Sequence, residues 1–234
     1  MQLSVVIPAY EEEARLGGTL RQILSYLENQ VASFEVLVVD DGSTDGTVEL
    51  ARSFPNPPID VLQLDRNSGK GAALKKGVLE SRGEWVLLCD ADLSTPIEDL
   101  ETLRSREADG ELILGSRAVA HSNVTRHQPL YRELMGKTFN GILRVLALAE
   151  EQDTQCGFKL MRGDVARELF ADLTIERFAF DVELVCLARD KGYRVVEQGV
   201  RWENSPESRV HPVRDLLNML GDVLRLRLRR LMRR

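Results

Sequence analysis

The chain has 234 residues, of which 43% are hydrophobic and 29% are charged, which suits one globular domain and excludes collagen-like, coiled-coil and disordered chains. Its formal net charge of −6 is unevenly spread, because residues 209–234 contain eight arginines and only two acidic residues. Residues 1–208 carry 23 basic and 35 acidic side chains, so the sequence joins an acidic body to a basic carboxyl-terminal segment.

Short apolar runs alternate with helical patterns through the first half of the chain. The predicted strands are Leu3–Ile7, Phe34–Val39, Ile59–Leu64, Trp85–Cys89 and Leu112–Leu114. The predicted helices are Ala14–Asn29, Asp45–Ser53, Gly71–Ser81 and Ile97–Glu107. For the last helix we expect Thr95 as the N-cap and Pro96 at the first position. Such continuous apolar runs indicate strands buried on both faces, so a mainly parallel α/β sheet is predicted, with ligands at the carboxyl ends of its strands.

The second half of the chain is less regular. Its predicted elements are an amphipathic helix over Leu130–Ala149, a strand over Gly157–Met161, a helix near Asp181–Lys191, a strand over Tyr193–Trp202 and a loop over Asn204–His211. A final helix is predicted to carry arginines on one face and these apolar residues on the other: Leu216, Leu217, Leu220, Val223, Leu224, Leu228 and Leu231. No repeat or linker interrupts the pattern, which indicates a single domain.

The cysteines and the hydropathy pattern bear on the compartment. Cys89, Cys156 and Cys186 form no C-x-x-C pair, which favours reduced core thiols in a cytoplasmic protein. No stretch reaches the roughly 20 apolar residues that cross a bilayer. The amino terminus enters a strand-like run almost at once, which is not typical of a signal peptide. We therefore expect a cytoplasmic protein.

Acidic residues follow two of the predicted strands. Asp40 and Asp41 close the second strand, and Asp90-Ala91-Asp92 closes the fourth. Because parallel strands end at the same edge of a sheet, we expect these carboxylates in one crevice. A D-x-D pair there supplies the oxygen ligands that Mg²⁺ or Mn²⁺ prefers. For each motif alone, capping of the following helix remains an alternative role.

A glycine-rich cationic turn, residues 66–71, opens the third predicted helix. Its backbone amides and the ammonium group of Lys70 suit a diphosphate. The turn lacks the order of a P-loop, and a flexible turn with a solvated lysine is the alternative interpretation.

Together these motifs resemble the inverting GT-A glycosyltransferases of family 2. The segments that carry the resemblance are 4–12, 38–47, 67–71, 90–92 and 115–117. Two later segments, 153–159 and 180–184, are similar to the dolichyl-phosphate β-glucosyltransferases, neighbours of the dolichyl-phosphate mannose synthases. The resemblance implies a Rossmann-like GT-A catalytic domain over residues 1–212. Its nucleotide-sugar half would run to about residue 117 and its acceptor half over 118–212, followed by a basic amphipathic helix over 213–234.

The resemblance also implies which residues hold the donor. The nucleotide-sugar contacts would be Pro8, Tyr10, Glu12, Asp41, Lys70, Asp90, Ala91, Asp92 and Arg117. Tyr10 would stack on the base and Asp41 would accept the uracil N3–H. Asp90 and Asp92 would hold Mg²⁺ or Mn²⁺ on the diphosphate. One departure from the family pattern is Glu11, where the family usually has asparagine.

The implied reaction moves a hexose with inversion onto a polyprenyl phosphate, with glucose from UDP-glucose preferred over a GDP-sugar. A phosphate monoester, with a second pKa about 6, is already a nucleophile at neutral pH and needs no base. Arg132 and Arg209 match cationic positions that would bind that phosphate. The candidate catalytic residues are Asp92, Arg117 and Asp181.

Three alternatives share parts of this pattern. The first keeps the fold and transfers the sugar to a soluble or glycan hydroxyl, with Asp181 or Glu183 as the base. The others are a receiver-type signalling domain and a nucleotide-sugar-binding module without activity. No nucleic-acid partner is expected. The basic helix is expected to hold the protein peripherally at an anionic membrane surface.

Overall fold

The computed structural model describes residues 1–55, 58–120, 122–126, 138–139, 141–143, 146, 148, 150–203 and 212–232. The strands in this part of the chain are β1 (Leu3–Ala9), β2 (Phe34–Asp40), β3 (Ile59–Gln63), β4 (Trp85–Leu88), β5 (Leu112–Ser116), β6 (Asn123–Arg126), β7 (Lys159–Arg162), β8 (Val195–Gly199) and β9 (Arg201–Glu203). The α-helices are α1 (Glu13–Gln30), α2 (Thr47–Arg52), α3 (Lys70–Glu80), α4 (Leu100–Arg104), α5 (Gly163–Asp172), α6 (Phe180–Asp190) and α7 (Pro212–Met232).

Seven strands form the central sheet, in the order β3-β2-β1-β4-β7-β5-β8. Strands β1 to β4 pair in parallel, as do β5 and β8, whereas β7 lies antiparallel between β4 and β5. The predicted mainly parallel sheet is therefore confirmed, with one antiparallel insertion. Strands β6 and β9 form a separate parallel pair.

Burial on both faces explains the apolar runs of the central strands. Val5 and Ile7 of β1 pack into one core cluster, and Val6 between them packs into another on the opposite face. Alternate residues thus face two helical layers, which explains the apolar run. The buried polar residue of this strand, Ser4, donates to Glu35 of β2 at 2.6 Å. The three cysteines are free and buried, as expected.

The predicted helix over Ile97–Glu107 is wrong in length and in its cap. A 3₁₀ turn over Ile97–Asp99 leads into the five-residue α4, and a series of turns follows. Pro96 itself occupies the N-cap position, with an extended ψ of 144° and no side-chain cap. The Thr95 hydroxyl lies instead 3.9 Å from Cys156 Sγ, so it is unavailable to the helix.

Two predicted strands of the second half differ from the structure, and two further elements were not predicted. The strand expected over Tyr193–Trp202 is interrupted at Val200, because β8 joins the central sheet and β9 joins β6. The strand expected over Gly157–Met161 is shifted to β7. Helix α5 and strand β6 were not predicted, although Val165, Ala166, Leu169 and Phe170 carry a helical apolar spacing. The predicted loop over 204–211 and most of the predicted helix over 130–149 lie outside the described residues.

The carboxyl-terminal helix α7 presents two apolar faces instead of the single predicted one. Leu216, Leu220 and Val223 pack against the body of the protein, together with Met219 and Leu226. The other predicted leucines form an exposed row, here called the outer stripe, whose members are 52–63% exposed: Leu217, Leu224, Leu228 and Leu231. The apolar positions span too wide an arc for one contact surface.

The arginines of α7 are likewise divided. Arg230 donates to Asp190 at 2.6 Å and Arg229 donates to the Thr174 hydroxyl at 2.9 Å, so part of the basic segment is bound to the body.

Among the described residues, no helix combines the length and the apolar character needed to span a bilayer.

Candidate functional site

The segments that follow β1 and β2 are joined by hydrogen bonds at the carboxyl edge of the sheet. The Glu11 amide donates to Ser43 Oγ at 2.9 Å, and the Glu12 amide donates to Thr47 Oγ1 at 2.8 Å. The Glu11 carboxylate in turn accepts the Thr44 amide at 2.8 Å. Glu11 has a φ of 55°, in the left-handed region that asparagine adopts more readily than glutamate. This backbone geometry suits the asparagine that the family resemblance leads us to expect at that position.

Asp41 holds the glycine-rich turn in place. Its two carboxylate oxygens accept the amides of Ser68 at 2.7 Å and of Gly69 at 2.9 Å. Gly69 has a φ of 113°, which a residue with a side chain rarely adopts. Burial raises the pKa of Asp41, although the two amide bonds oppose that change. Each oxygen keeps a second lone pair, so the geometry leaves an acceptor for a nucleotide base.

Asp90 and Lys70 meet where β4 ends and α3 begins. Lys70 Nζ lies 2.6 Å from Asp90 Oδ1. Burial opposes the charged ammonium group, but the Asp90 carboxylate outweighs it and raises the pKa of Lys70 above its ordinary value. A Cβ on Gly157 would collide with the Asp90 carboxylate, so the absence of a side chain there makes room for it.

Asp92 belongs to a second charged group at this edge. Its Oδ1 accepts the Ser94 amide at 3.0 Å, and its Oδ2 lies 3.7 Å from Arg15 Nη1. Arg15 also pairs with Glu12 and donates to Glu12 Oε1 at 2.6 Å. Arg15 lies outside the predicted site, yet it links the first predicted donor segment to the D-x-D motif. Its position three residues after Glu12, the N-cap residue of α1, was the available signal.

Arg117 forms a buried bidentate ion pair with Asp153. The guanidinium donates to the two carboxylate oxygens at 2.7 and 2.8 Å, and the Arg117 amide adds a third bond at 3.0 Å. Burial opposes ionisation of the carboxyl group, but Arg117 prevails and lowers the pKa of Asp153 to about 2. Asp153 begins the segment 153–159 that carries the family resemblance, which implied no role for it. The structure shows that it orients Arg117.

Asp181 is enclosed behind the D-x-D motif. Its carboxylate is ion-paired with Lys159, and the two side chains are 6% and 1% exposed. Lys159 also donates to the Cys156 carbonyl at 2.5 Å. Glu183, two residues further along α6, is equally buried and accepts hydrogen bonds from Thr174 and Ile175. Both candidate bases are therefore bound to protein groups.

The remaining predicted donor residues lie at the same edge. Tyr10 is 38% exposed, which leaves its ring available for stacking, and Pro8 is half-buried at the end of β1. The Ala91 carbonyl accepts the Thr19 hydroxyl at 2.6 Å, so α1 fixes the backbone of the D-x-D motif. Arg132 and Arg209, the predicted acceptor residues, lie outside the described residues.

The D-x-D motif fits a divalent cation bound jointly with a phosphate donor. Within the described ranges, no group of three or more His, Cys, Asp or Glu side chains could hold a metal alone. Asp90 and Asp92 supply two carboxylates, and Mg²⁺ and Mn²⁺ commonly complete such a set with water and substrate phosphates. The Lys70 ammonium beside Asp90 shows that this position already accommodates a positive charge.

The Arg117–Asp153 pair predicts a pH-dependent contribution to stability. The folded pKa of Asp153 lies below the ordinary value of 3.8. The pair should therefore contribute fully above about pH 5 and lose its contribution as the pH falls from about 4 towards about 2. We expect Asp153→Asn to lower the free energy of unfolding by about 2 kcal/mol near neutral pH. Urea unfolding at several pH values measures this difference, and a difference that stays constant into acid would contradict the assignment.

Comparisons with known proteins agree with this geometry. The family model described as Glycosyl transferase family 2 matches residues 4–170. Dolichyl-phosphate β-glucosyltransferases are similar to the chain in sequence. That of Dictyostelium discoideum is 34% identical and that of Homo sapiens 36% identical, over 98% and 97% of this chain and 75% of each relative.

Solved structures of two synthases share the fold. Glucosyl-3-phosphoglycerate synthase from Mycobacterium tuberculosis, in complex with Mn²⁺, UDP and phosphoglyceric acid, has a TM-score of 0.68 at 21% identity, over 95% of this chain and 76% of that one. Mannosyl-3-phosphoglycerate synthase from Rubrobacter xylanophilus has a TM-score of 0.69 at 21% identity, over 100% and 76%. The predicted GT-A fold is thereby confirmed.

Proposed function

The chain belongs to glycosyl transferase family 2, and from this premise we propose that it transfers glucose from UDP-glucose to a polyprenyl phosphate with inversion. The observation that carries the proposal is the ion pair at the carboxyl edge of the sheet, where Asp90 of the D-x-D motif meets Lys70 of the glycine-rich turn that Asp41 holds. The names of the sequence relatives support glucose as the sugar and a dolichyl-type phosphate as the acceptor.

The donor would lie across the carboxyl ends of β1, β2 and β4. We propose that Tyr10 stacks on the uracil and that Asp41 accepts its N3–H, while Pro8, Glu12 and Ala91 shape the pocket. Lys70 and those amides of the glycine-rich turn that do not donate to Asp41 would contact the diphosphate, and Lys70 would exchange Asp90 for phosphate oxygens. Arg117, fixed by Asp153, would neutralise charge near the diphosphate or the sugar.

We propose that Asp90 and Asp92 hold a divalent cation, Mn²⁺ or Mg²⁺. The Mycobacterium synthase of the same fold was solved with Mn²⁺ and UDP, which supports a divalent metal cofactor. When bound, the cation supplies Lewis-acid neutralisation of the leaving diphosphate.

The acceptor proposal follows from what the two candidate bases do in the fold. Asp181 is paired with Lys159, and Glu183 is bound to backbone amides, so neither carboxylate is positioned to take a proton from a hydroxyl. A phosphate acceptor needs no base, because its dianion is the nucleophile. We propose that Asp181 acts by holding Lys159 behind the D-x-D motif, and that Arg132 and Arg209 bind the acceptor phosphate.

Donor binding tests the proposal directly. A panel of UDP-glucose, other UDP-sugars and GDP-mannose with Mn²⁺ is expected to raise the melting temperature most for UDP-glucose. A bound ligand stabilises by about 2.7 kcal/mol at a hundredfold excess over its Kd. Removal of Mn²⁺ by a chelator should abolish the shift. A larger shift with GDP-mannose than with any UDP-sugar would contradict the proposed donor.

The proposed division of the chain assigns residues 1–212 to catalysis, with donor and acceptor halves meeting near residue 117. Residues 213–234 would meet the membrane where the lipid acceptor is found. The outer stripe supports this role, because four exposed leucines on one helix have no packing partner in the described body. Leucines entering the interface and basic residues near anionic lipid act together, at about 1 kcal/mol per basic residue.

Vesicle binding tests the outer stripe. The triple substitution Leu217→Gln/Leu224→Gln/Leu228→Gln is expected to lower binding to anionic vesicles at least tenfold, since burying each leucine contributes roughly 1.5–3 kcal/mol. Leu79→Gln, at an exposed leucine of α3, serves as the matched control and should bind like the wild type. Flotation of the full-length proteins measures the bound fraction. Equal flotation of the triple variant and the control would rule out membrane contact through this stripe.

A further inference from the structure

The carboxylate of Glu183 is hydrogen-bonded to the loop that precedes α6. The side chain projects from α6, is 4% exposed, and accepts the amides of Thr174 at 2.9 Å and of Ile175 at 2.7 Å on one oxygen. The other oxygen accepts the Thr174 hydroxyl at 2.7 Å. A buried carboxylate with three donors from two consecutive residues fixes the position of that loop.

The loop held by Glu183, residues 174–176, packs directly against the glycine-rich turn. The Ala72 amide donates to the Glu176 carbonyl at 2.9 Å. A Cβ on Gly71 would lie 2.6 Å from the Ile175 carbonyl oxygen, and a Cβ on Gly69 would lie 2.6 Å from that of Glu176. The two segments are so close that a single methyl group would force them apart.

Asp41 holds the same turn from its other side, through the amides of Ser68 and Gly69. The turn is therefore clamped between a carboxylate at the end of β2 and a loop that a second carboxylate fixes. Arg229 of α7 also donates to the Thr174 hydroxyl, so α7 holds the loop by a further hydrogen bond. A turn that contacts a ligand binds it best when it is held in place before the ligand arrives.

We propose that Glu183 is a positioning residue for the nucleotide-sugar donor, acting through residues 174–176 on the glycine-rich turn. This assignment rests on the proposed function, because it takes the turn to be the diphosphate site. It differs from the role of a base on the acceptor side, which would leave donor affinity unchanged and set the rate of transfer.

Titration of UDP in the presence of Mn²⁺ separates the two roles. Glu183→Gln removes the charge that strengthens three hydrogen bonds, and is expected to raise the Kd of UDP and the KM for UDP-glucose about tenfold with kcat within about threefold. Gly71→Ala pushes on the same contact from the opposite side and should weaken UDP similarly. Because both act on one interface, the double variant should be less impaired than the two effects combined.

Two further variants keep the test decisive. Thr174→Val removes the hydroxyl that donates to Glu183 and accepts from Arg229, at an exposed residue, and keeps the two backbone bonds to Glu183. It should weaken UDP about twofold to threefold even if Glu183→Gln unfolds. Glu168→Gln, at an exposed carboxylate of α5 that accepts from Lys191 and Tyr193, should leave UDP binding unchanged.

One result would overturn the assignment in favour of a base. In that result, Glu183→Gln and Thr174→Val both keep the wild-type affinity for UDP, while Glu183→Gln loses a hundredfold or more in kcat and the acidic limb of its pH profile. Unchanged affinity with reduced thermal stability alone would also overturn it. Failure of the wild type to bind UDP would overturn the proposed donor and this assignment together, and is read from the wild-type titration by itself.

Discussion

Asp92→Ala is expected to lower glucosyl transfer about a thousandfold while the protein remains folded. The Asp92 carboxylate is partly exposed and makes one hydrogen bond, to the Ser94 amide, so its loss should cost about 1 kcal/mol of stability. Its proposed part in catalysis is larger. Removing one group that stabilises developing charge typically lowers kcat by 10²–10³, and here the metal ligand and the partner of Arg15 are lost together.

Initial rates with UDP-glucose, Mn²⁺ and a polyprenyl phosphate measure the effect. Asp109→Ala is the matched control, because Asp109 is an exposed carboxylate that pairs with Arg106 far from the D-x-D motif along the chain. We expect it to retain wild-type turnover. Turnover of Asp92→Ala within about threefold of the control would remove Asp92 from the proposed site.

The buried Lys159–Asp181 pair predicts the largest effect on stability. Lys159→Met or Asp181→Leu alone leaves an enclosed charge without its partner, which is expected to lower the free energy of unfolding by about 3–5 kcal/mol. The double substitution Lys159→Met/Asp181→Leu removes both charges and should recover most of that loss, since apolar replacement of a buried pair is often neutral or stabilising.

Urea unfolding of the four proteins gives the coupling energy. The exposed pair Arg106–Asp109 provides the control cycle, with an expected coupling of at most about 1 kcal/mol. A coupling for Lys159 and Asp181 as small as that of the control would show that the buried pair does not hold the two segments together. Transfer by the refolded double variant then tests whether Asp181 acts by holding Lys159 behind the D-x-D motif.

Much of the fold follows from local sequence. Strands β1, β2 and β4 are mainly apolar because their residues pack into cores on both sides of the sheet, and the D-x-D motif closely follows β4. The edge strand β3 is only partly buried. The position of β7 did not follow, because its residues predict a strand and say nothing of its antiparallel insertion between β4 and β5. The outer stripe was missed for a related reason: helical spacing groups the leucines of α7 but does not show which of them the body covers.

The candidate site divides in the same way. Asp41, Lys70, Asp90 and Asp92 were found because each stands in a motif at a strand or helix end. Their partners depend on contacts between segments far apart in sequence, and these no local pattern reveals. Asp153 is 36 residues from Arg117, and Lys159 is 22 residues from Asp181. The sequence therefore predicted most of the residues proposed to contact the donor. It did not predict the partners, such as Asp153, that orient them.

Transfer of label from UDP-[¹⁴C]glucose tests the central claim most directly. Purified protein is incubated with the labelled donor, Mn²⁺ and a polyprenyl phosphate, and the products are partitioned between organic solvent and water. We predict label in the organic phase that depends on both the lipid phosphate and the cation, and that mild acid releases as glucose. Label that stays in the aqueous phase, or moves only to a soluble or glycan hydroxyl acceptor, would contradict the account.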